Sequence, residues 1–350
     1  MINYKKLANL VNLLLVVLPL VSCTPVDNPE KIWEFSSVGL FSANLTPDGK
    51  YSLCATVDKG VSYWDLESNQ EKFRFNHGID PKTRQPKTIT QVALAPDESI
   101  GATALPGEIG IWDLKTGKSL RYWSLPHSDR QILSLSLSEY GKYALIGFTG
   151  SKATLINLVT GQTLKEFEHA DSIRTVSLSH KGQFALLGSD DKYLRLWDLN
   201  TGNLFKQWLM ESAVQYATFS PDDQFILVSQ TLGKGKIISV QTGETISSLS
   251  NQFGHDFSLG SNSLLSAAFF DNNRYIAAGC SPRYIRIFDV KTGKLTKQFS
   301  LSKKTNWITS PAPIIALAIT ANNQVIAQSS NGLGYLYSLY GSTVNVVNTE

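Results

Sequence analysis

The stretch LRLWDLNTGN, residues 194–203, returns in altered form along the whole chain, and this repetition limits the fold more than any other feature. The segment alternates through Leu194, Arg195 and Leu196 to Trp197, then runs into an Asp198-Leu199-Asn200-Thr201-Gly202 turn. Alternation followed by a glycine-closed turn reads as strand, hairpin, strand. With Trp197 as reference, the equivalent positions are Trp64, Trp112, Ile156, Ile238, Phe288 and Tyr337, all bulky and apolar. The spacing is about 41–50 residues, the period of a four-stranded unit. The next residue is Asp65, Asp113, Asn157, Asp198, Ser239, Asp289 or Ser338, each with a short polar side chain that can accept from turn amides. Gly117, Gly161, Gly202, Gly243 and Gly293 close five of the hairpins, with Asn69 at that position in the first unit. A second turn runs in phase: TPDGK, APDES, SEYGK, SHKGQ, SPDDQ, FDNNR and TANNQ, beginning at residues 46, 95, 138, 179, 220, 270 and 320. Two landmarks in phase over seven units predict an all-β repeat protein.

SDDKYLRLWDLNTGN, residues 189–203, resembles the signature end of a WD-repeat, and the similarity runs from about residue 32 to 342. The resemblance implies a seven-bladed β-propeller of four-stranded antiparallel blades around a central channel. KFRFN, LRYWSL, LKEFE, LFKQWL, ISSL and LTKQFS follow their hairpins as outer strands. IWEFS, residues 32–36, fits that pattern but precedes the first unit, so it is expected to close the ring as the last blade's outer strand. The competing segment is TVNVV, residues 343–347. WD-repeats also carry a His–Ser/Thr–Asp–Trp hydrogen-bond network. In the fourth unit His169, Asp191 and Trp197 match it, but the Ser/Thr position is Leu187, so the network is incomplete. Asp58 keeps the Asp position in the first unit, while Pro106 and Gly150 replace it in the second and third. His77, His127, His169 and His255 each precede a unit's first strand, and His180 lies in a turn. Because successive blades point around a ring, these histidines read as blade scaffold rather than metal ligands.

The N-terminus reads as an address. Lys5 and Lys6 precede a mainly apolar run, Leu7 to Leu20, that is too short for a comfortable membrane span and suits a secretory leader. Leu20-Val21-Ser22-Cys23 resembles the bacterial lipobox, which implies cleavage before Cys23 and acylation of that residue; the bland alternative is a plain signal peptide. The expected organisation is a leader at 1–22, lipidated Cys23 with a tether at 23–31, a propeller at 32–342 and a tail at 343–350. Thr24 after the cysteine implies the periplasmic side of the outer membrane if the host is Gram-negative. Cys54 and Cys280 remain, in the first and sixth units. They could pair in an oxidising compartment, but non-neighbouring units favour two buried free thiols.

Charge and motifs narrow the function classes. Without Lys5 and Lys6 the chain has 30 bases against 29 acids, and nucleic-acid binders usually carry a clear basic excess. There is no GxSxG elbow, phosphate loop, HExxH or paired-cysteine metal spacing, so no catalytic residue, metal or cofactor is nominated. Recognition is expected where the repeat is interrupted. Long connections precede unit two (76–88), unit six (251–263) and unit seven (303–313), all on one propeller face and one arc of the ring. Lys82, Arg84, Lys87, Lys303 and Lys304 make this arc basic, and Phe253, Phe257 and Trp307 add apolar area. Neutral loop variation, and packing of Trp307 on the rim, are the bland readings. The expectation is a lipid-anchored, non-catalytic scaffold that binds an acidic or mixed protein surface in the cell envelope. The alternative is a sensor or enzyme using the central channel for a small ligand.

Overall fold

The computed structural model describes residues 28–81, 84, 86–231, 235–250, 263–281, 283–301 and 312–339. These residues form seven four-stranded antiparallel sheets. Their innermost strands are Leu40–Leu45, Gln91–Leu94, Ile132–Leu137, Ile173–Leu178, Val214–Phe219, Leu264–Phe270 and Ile314–Ile319. Each lies beside the innermost strand of the next sheet, and Ile314–Ile319 returns to Leu40–Leu45, closing a seven-bladed ring.

The closing strand is N-terminal, as the sequence pattern favoured. Lys31–Glu34 pairs antiparallel with Leu333–Ser338, placing Lys31 opposite Leu336 and Glu34 opposite Leu333. TVNVV lies outside the described residues. Trp33 is buried in this seam, and its Nε1–H donates to the Leu66 carbonyl of blade 1 at 3.0 Å. Trp123 and Trp208, in the outer strands of blades 2 and 4, likewise donate to the Leu158 and Gly243 carbonyls of the next blade's hairpin.

The turns work as their residue types dictate. Asp65, Asp113, Asn157 and Asp198 accept from amides two and three residues on. Gly117, Gly161, Gly202, Gly243 and Gly293 all have positive φ, and Asn69 sits at 57°. At the inner turns Thr46, Ser138, Ser179 and Ser220 accept from the amide five residues on, which pins the start of the second strand.

Hydrophobic burial is organised by seam rather than by blade. There are seven core clusters, and each joins two neighbouring sheets. Between blades 1 and 2, for example, Leu53, Tyr63 and Phe75 meet Val92, Leu94 and Trp112. The bulky repeat position packs on an aromatic of the preceding blade. The pairs are Phe35 with Trp64, Phe75 with Trp112, Phe167 with Trp197 and Phe299 with Tyr337, with ring centroids 4.5–5.4 Å apart. A single blade therefore exposes both its apolar faces, and the ring is the smallest unit that buries them all.

Polar side chains stitch the same seams. The innermost strands are sheet edges with unpaired amides and carbonyls, which need partners. Ser42 accepts from Val92 N–H, Gln91 donates to Leu133 O, and Ser134 and Ser136 accept from Val176 and Leu178 N–H. Thr175 accepts from Ala217 N–H, the Tyr216 hydroxyl accepts from Ala267 N–H, and Ser266 donates to Ile314 O. Gln328 donates to Ser52 at 2.6 Å across the last seam. Every seam thus carries at least one side-chain hydrogen bond. Cys54 and Cys280 are buried and free.

Candidate functional site

Antiparallel blades give the ring two unlike faces. The lower face carries the turns from first to second strand and the hairpins from third to outer strand. The upper face carries the remaining turns and the described connections between blades, among them the long one into blade 2; residues 251–262 and 302–311 lie outside the described residues.

The connection into blade 2 is welded to its blade by a chain of buried polar groups. Thr103, fully buried on the blade's second strand, places its hydroxyl 2.6 Å from His77 Nε2 and 2.7 Å from Trp112 Nε1. His77 Nδ1 lies 2.6 Å from Glu108 Oε1, and Lys87 Nζ donates to Glu108 Oε2 at 2.8 Å. One proton arrangement satisfies every link: Trp112 N–H to Thr103, Thr103 O–H to His77 Nε2, His77 Nδ1–H to Glu108. Gly110 makes the room, since a Cβ there would sit 2.9 Å from His77 Nε2. Burial holds the imidazole below its ordinary pKa, against the opposing pull of Glu108.

His77 and Lys87 flank a small hairpin. Lys87 N–H donates to Gly78 O, Arg84 N–H donates to Asp80 O, and Ile79 bridges Pro86. The welded base holds up a tip on which Ile79 and Arg84 are exposed, Arg84 with φ 57°. Lys87 is thus committed to Glu108, whereas Arg84 stands at the tip. Lys82 lies outside the described residues, as do Phe253, Phe257, Lys303, Lys304, Trp307 and Cys23.

Blade 4 assembles the corresponding groups differently. His169 Nδ1 lies 3.1 Å from Asp191 Oδ2, and Asp191 also accepts from Arg195 at 2.9 Å. The network stops there. His169 Nε2 and Trp197 Nε1 are buried without a hydrogen-bond partner among the described residues, because Leu187 stands where blade 2 has Thr103. Arg195 stands where blade 2 has Gly110, and its guanidinium contacts His169. Burial, reinforced by the Arg195 charge, pushes the His169 pKa down to about 4. Burial alone would raise the Asp191 carboxyl, but amide donors from Ala170 and Tyr193 and the Arg195 side chain hold it well below the carboxylate range.

Sequence reasoning found His169, Asp191 and Trp197 but missed the complete relay of blade 2. Pro106 in the Asp position hid it, since the acid comes from the following strand as Glu108. The readable signal was Thr103 at the position of Leu187, with Gly110 two residues before Trp112.

The channel is a cavity of about 520 Å³ walled by the innermost strands. Its charged wall residue Arg174 pairs with Asp190 at 2.8 Å. A second cavity of about 430 Å³ opens on the lower side between blades 4 and 7, lined by His180, Thr218, Phe269, Asp271 and Thr320. Asp223 positions His180, accepting from its amide at 2.8 Å and lying 3.4 Å from Nδ1. Among the described residues no group of three or more His, Cys, Asp or Glu side chains could hold a metal ion.

Residues 161–198 match the family model described as WD domain, G-beta repeat. That stretch is similar to a single WD40 repeat. No curated protein matches the chain. The WD40 match straddles a seam: it begins at the hairpin of blade 3, takes in that blade's outer strand Thr163–Glu168, and ends with the third strand of blade 4, Tyr193–Asp198. A WD40 unit out of phase with the blades must leave one outer strand to be supplied from the other end of the chain, and Lys31–Glu34 supplies it.

Proposed function

We propose that this WD40 propeller is a lipid-anchored, non-catalytic scaffold of the cell envelope that binds protein partners through its upper face. WD40 propellers generally mediate protein–protein interaction, and the observation that carries the reading here is the blade 2 hairpin. Five polar groups, from Trp112 to Lys87, fix its base while Ile79 and Arg84 project from it. A pre-organised tip loses little entropy on binding. Anchoring rests on the lipobox-like Leu20-Val21-Ser22-Cys23. Crosslinking in intact cells, comparing wild type with a Lys82→Ala/Arg84→Ala/Trp307→Ala variant, tests it. Loss of specific partners from a folded variant supports the surface, and an unchanged partner set refutes it. Lys87 is left intact in that variant because it belongs to the relay.

The second reading, a small ligand at the channel, is favoured by one observation: His180, oriented by Asp223, lines both the channel and the lower cavity. A thermal shift with a small-molecule library, lost in His180→Ala, would select it over the scaffold.

A further inference from the structure

The first described residues are tied to the lower face. Glu30 N–H donates to Leu336 O, and the Glu30 carboxylate accepts from the Gln324 side chain beside the lower turn of blade 7. Lys31 Nζ donates to the Leu66 and Glu67 carbonyls of blade 1's lower hairpin at 2.7 and 3.1 Å. The closing strand then climbs toward the upper face, since Glu34 pairs with Leu333. The chain therefore leaves the ring from its lower rim, at the seam of blades 7 and 1.

Cys23 is eight residues before Lys31. Fully extended, that tether spans about 27 Å, and as a flexible chain roughly 16 Å. If the upper face lay on a bilayer, the three residues of strand above Lys31, about 10 Å, and a hairpin of roughly 10 Å would separate Lys31 from it. That distance exceeds the tether's relaxed span and would hold it drawn out, whereas the lower face lies within that span. Resting on the lipid-anchored reading above, we infer that the propeller sits with its lower face against the bilayer and its upper face, with the blade 2 hairpin, turned away from it. The surface that meets the lipid is the ring of lower hairpins nearest the blade 7–blade 1 seam, and the upper face remains open to partners.

Blade 1 offers matched probes. Ser68, on the lower hairpin, and Lys59, on the upper turn, are both exposed and flank the strand Gly60–Asp65. Cys54 and Cys280 are fully buried, so a thiol-reactive fluorophore goes to the introduced cysteine. Ser68→Cys and Lys59→Cys proteins, full-length and acylated, are reconstituted in phosphatidylcholine–phosphatidylglycerol vesicles carrying a headgroup nitroxide. The expected result is at least twofold stronger quenching at position 68. Twelve Gly/Ser residues inserted between Asn28 and Pro29 should bring the two positions toward equality. Equal or reversed quenching in the acylated protein overturns the orientation, and a difference that survives the insertion overturns the tether as its cause. An N-terminal peptide lacking acyl mass overturns the anchored reading itself.

Discussion

Thr103→Val isolates the blade 2 relay. Valine has nearly the shape of threonine, so the change removes one hydroxyl from a fully buried site and little packing. Two nitrogens lose their partner at once: His77 Nε2, at 2.6 Å, and Trp112 Nε1, at 2.7 Å. A buried polar group left unsatisfied costs about 1–3 kcal/mol, and the valine side chain recovers part of this through easier desolvation. The expected net loss is about 2–4 kcal/mol. For a domain of this size that lowers Tm by roughly 4–8 °C, at about 2 °C per kcal/mol. Thermal unfolding monitored by tryptophan fluorescence reads the shift. Trp112→Phe removes one of the two nitrogens that Thr103 partners, so Thr103→Val should cost about 1 kcal/mol less in that background. A Tm change below about 1 °C, or full additivity in the double variant, refutes the relay as a stabilising unit.

Other outcomes follow from the same geometry. Leu187→Thr should place a hydroxyl beside His169 Nε2 and Trp197 Nε1, and in chemical denaturation should cost less than the ~2–5 kcal/mol of a Leu→Ala change at a buried site. His169 is neutral when folded, with its pKa near 4, so its contribution is complete above pH 6.5 and declines below it; about 2 kcal/mol should be lost by pH 5, and His169→Gln should flatten that dependence in Tm measured against pH. Gly293→Ala drives a Cβ into the Ser248 carbonyl oxygen across a seam, whereas a Cβ at Gly182, also at positive φ, meets nothing within 4 Å. Equilibrium unfolding should give a loss of more than about 2 kcal/mol for the first and about 1 kcal/mol for the second. Burial pushes the Cys54 and Cys280 thiols up to about 12 and 11, so a Cys23→Ser protein should show no reactive thiol by Ellman titration until denatured.

The parts of the fold visible in the sequence were those set by local stereochemistry. Gly202 and its equivalents announce left-handed hairpin positions, Ser179 and its equivalents open the inner turns, and Trp33 sits in a segment that reads as an outer strand without a blade of its own. Relations across seams were not visible. That Phe75 stacks on Trp112, or that Ser134 caps Val176, depends on the angle between consecutive sheets, which no short-range pattern encodes. The relay was obscured for a related reason. Its acid moved from a turn to a strand, from position 106 to Glu108, and only the fold shows that the carboxylate still reaches His77. The most recognisable repeat, around Trp197, is the one whose polar network is interrupted, because its recognisability comes from hairpin residues rather than from the hydroxyl that Leu187 replaces.

The closing strand has a mechanical consequence. Lys31–Glu34 both completes the last blade and continues from the N-terminal segment, so any pull applied to that segment passes through its pairing with Leu333–Leu336. A pull from below runs along the strand axis, and its hydrogen bonds are then strained together in shear instead of one after another. Lys31 and Trp33 add bonds to blade 1, so the same tension is shared with the neighbouring sheet. The ring is gripped at its clasp, in the direction in which a clasp of four residues resists best.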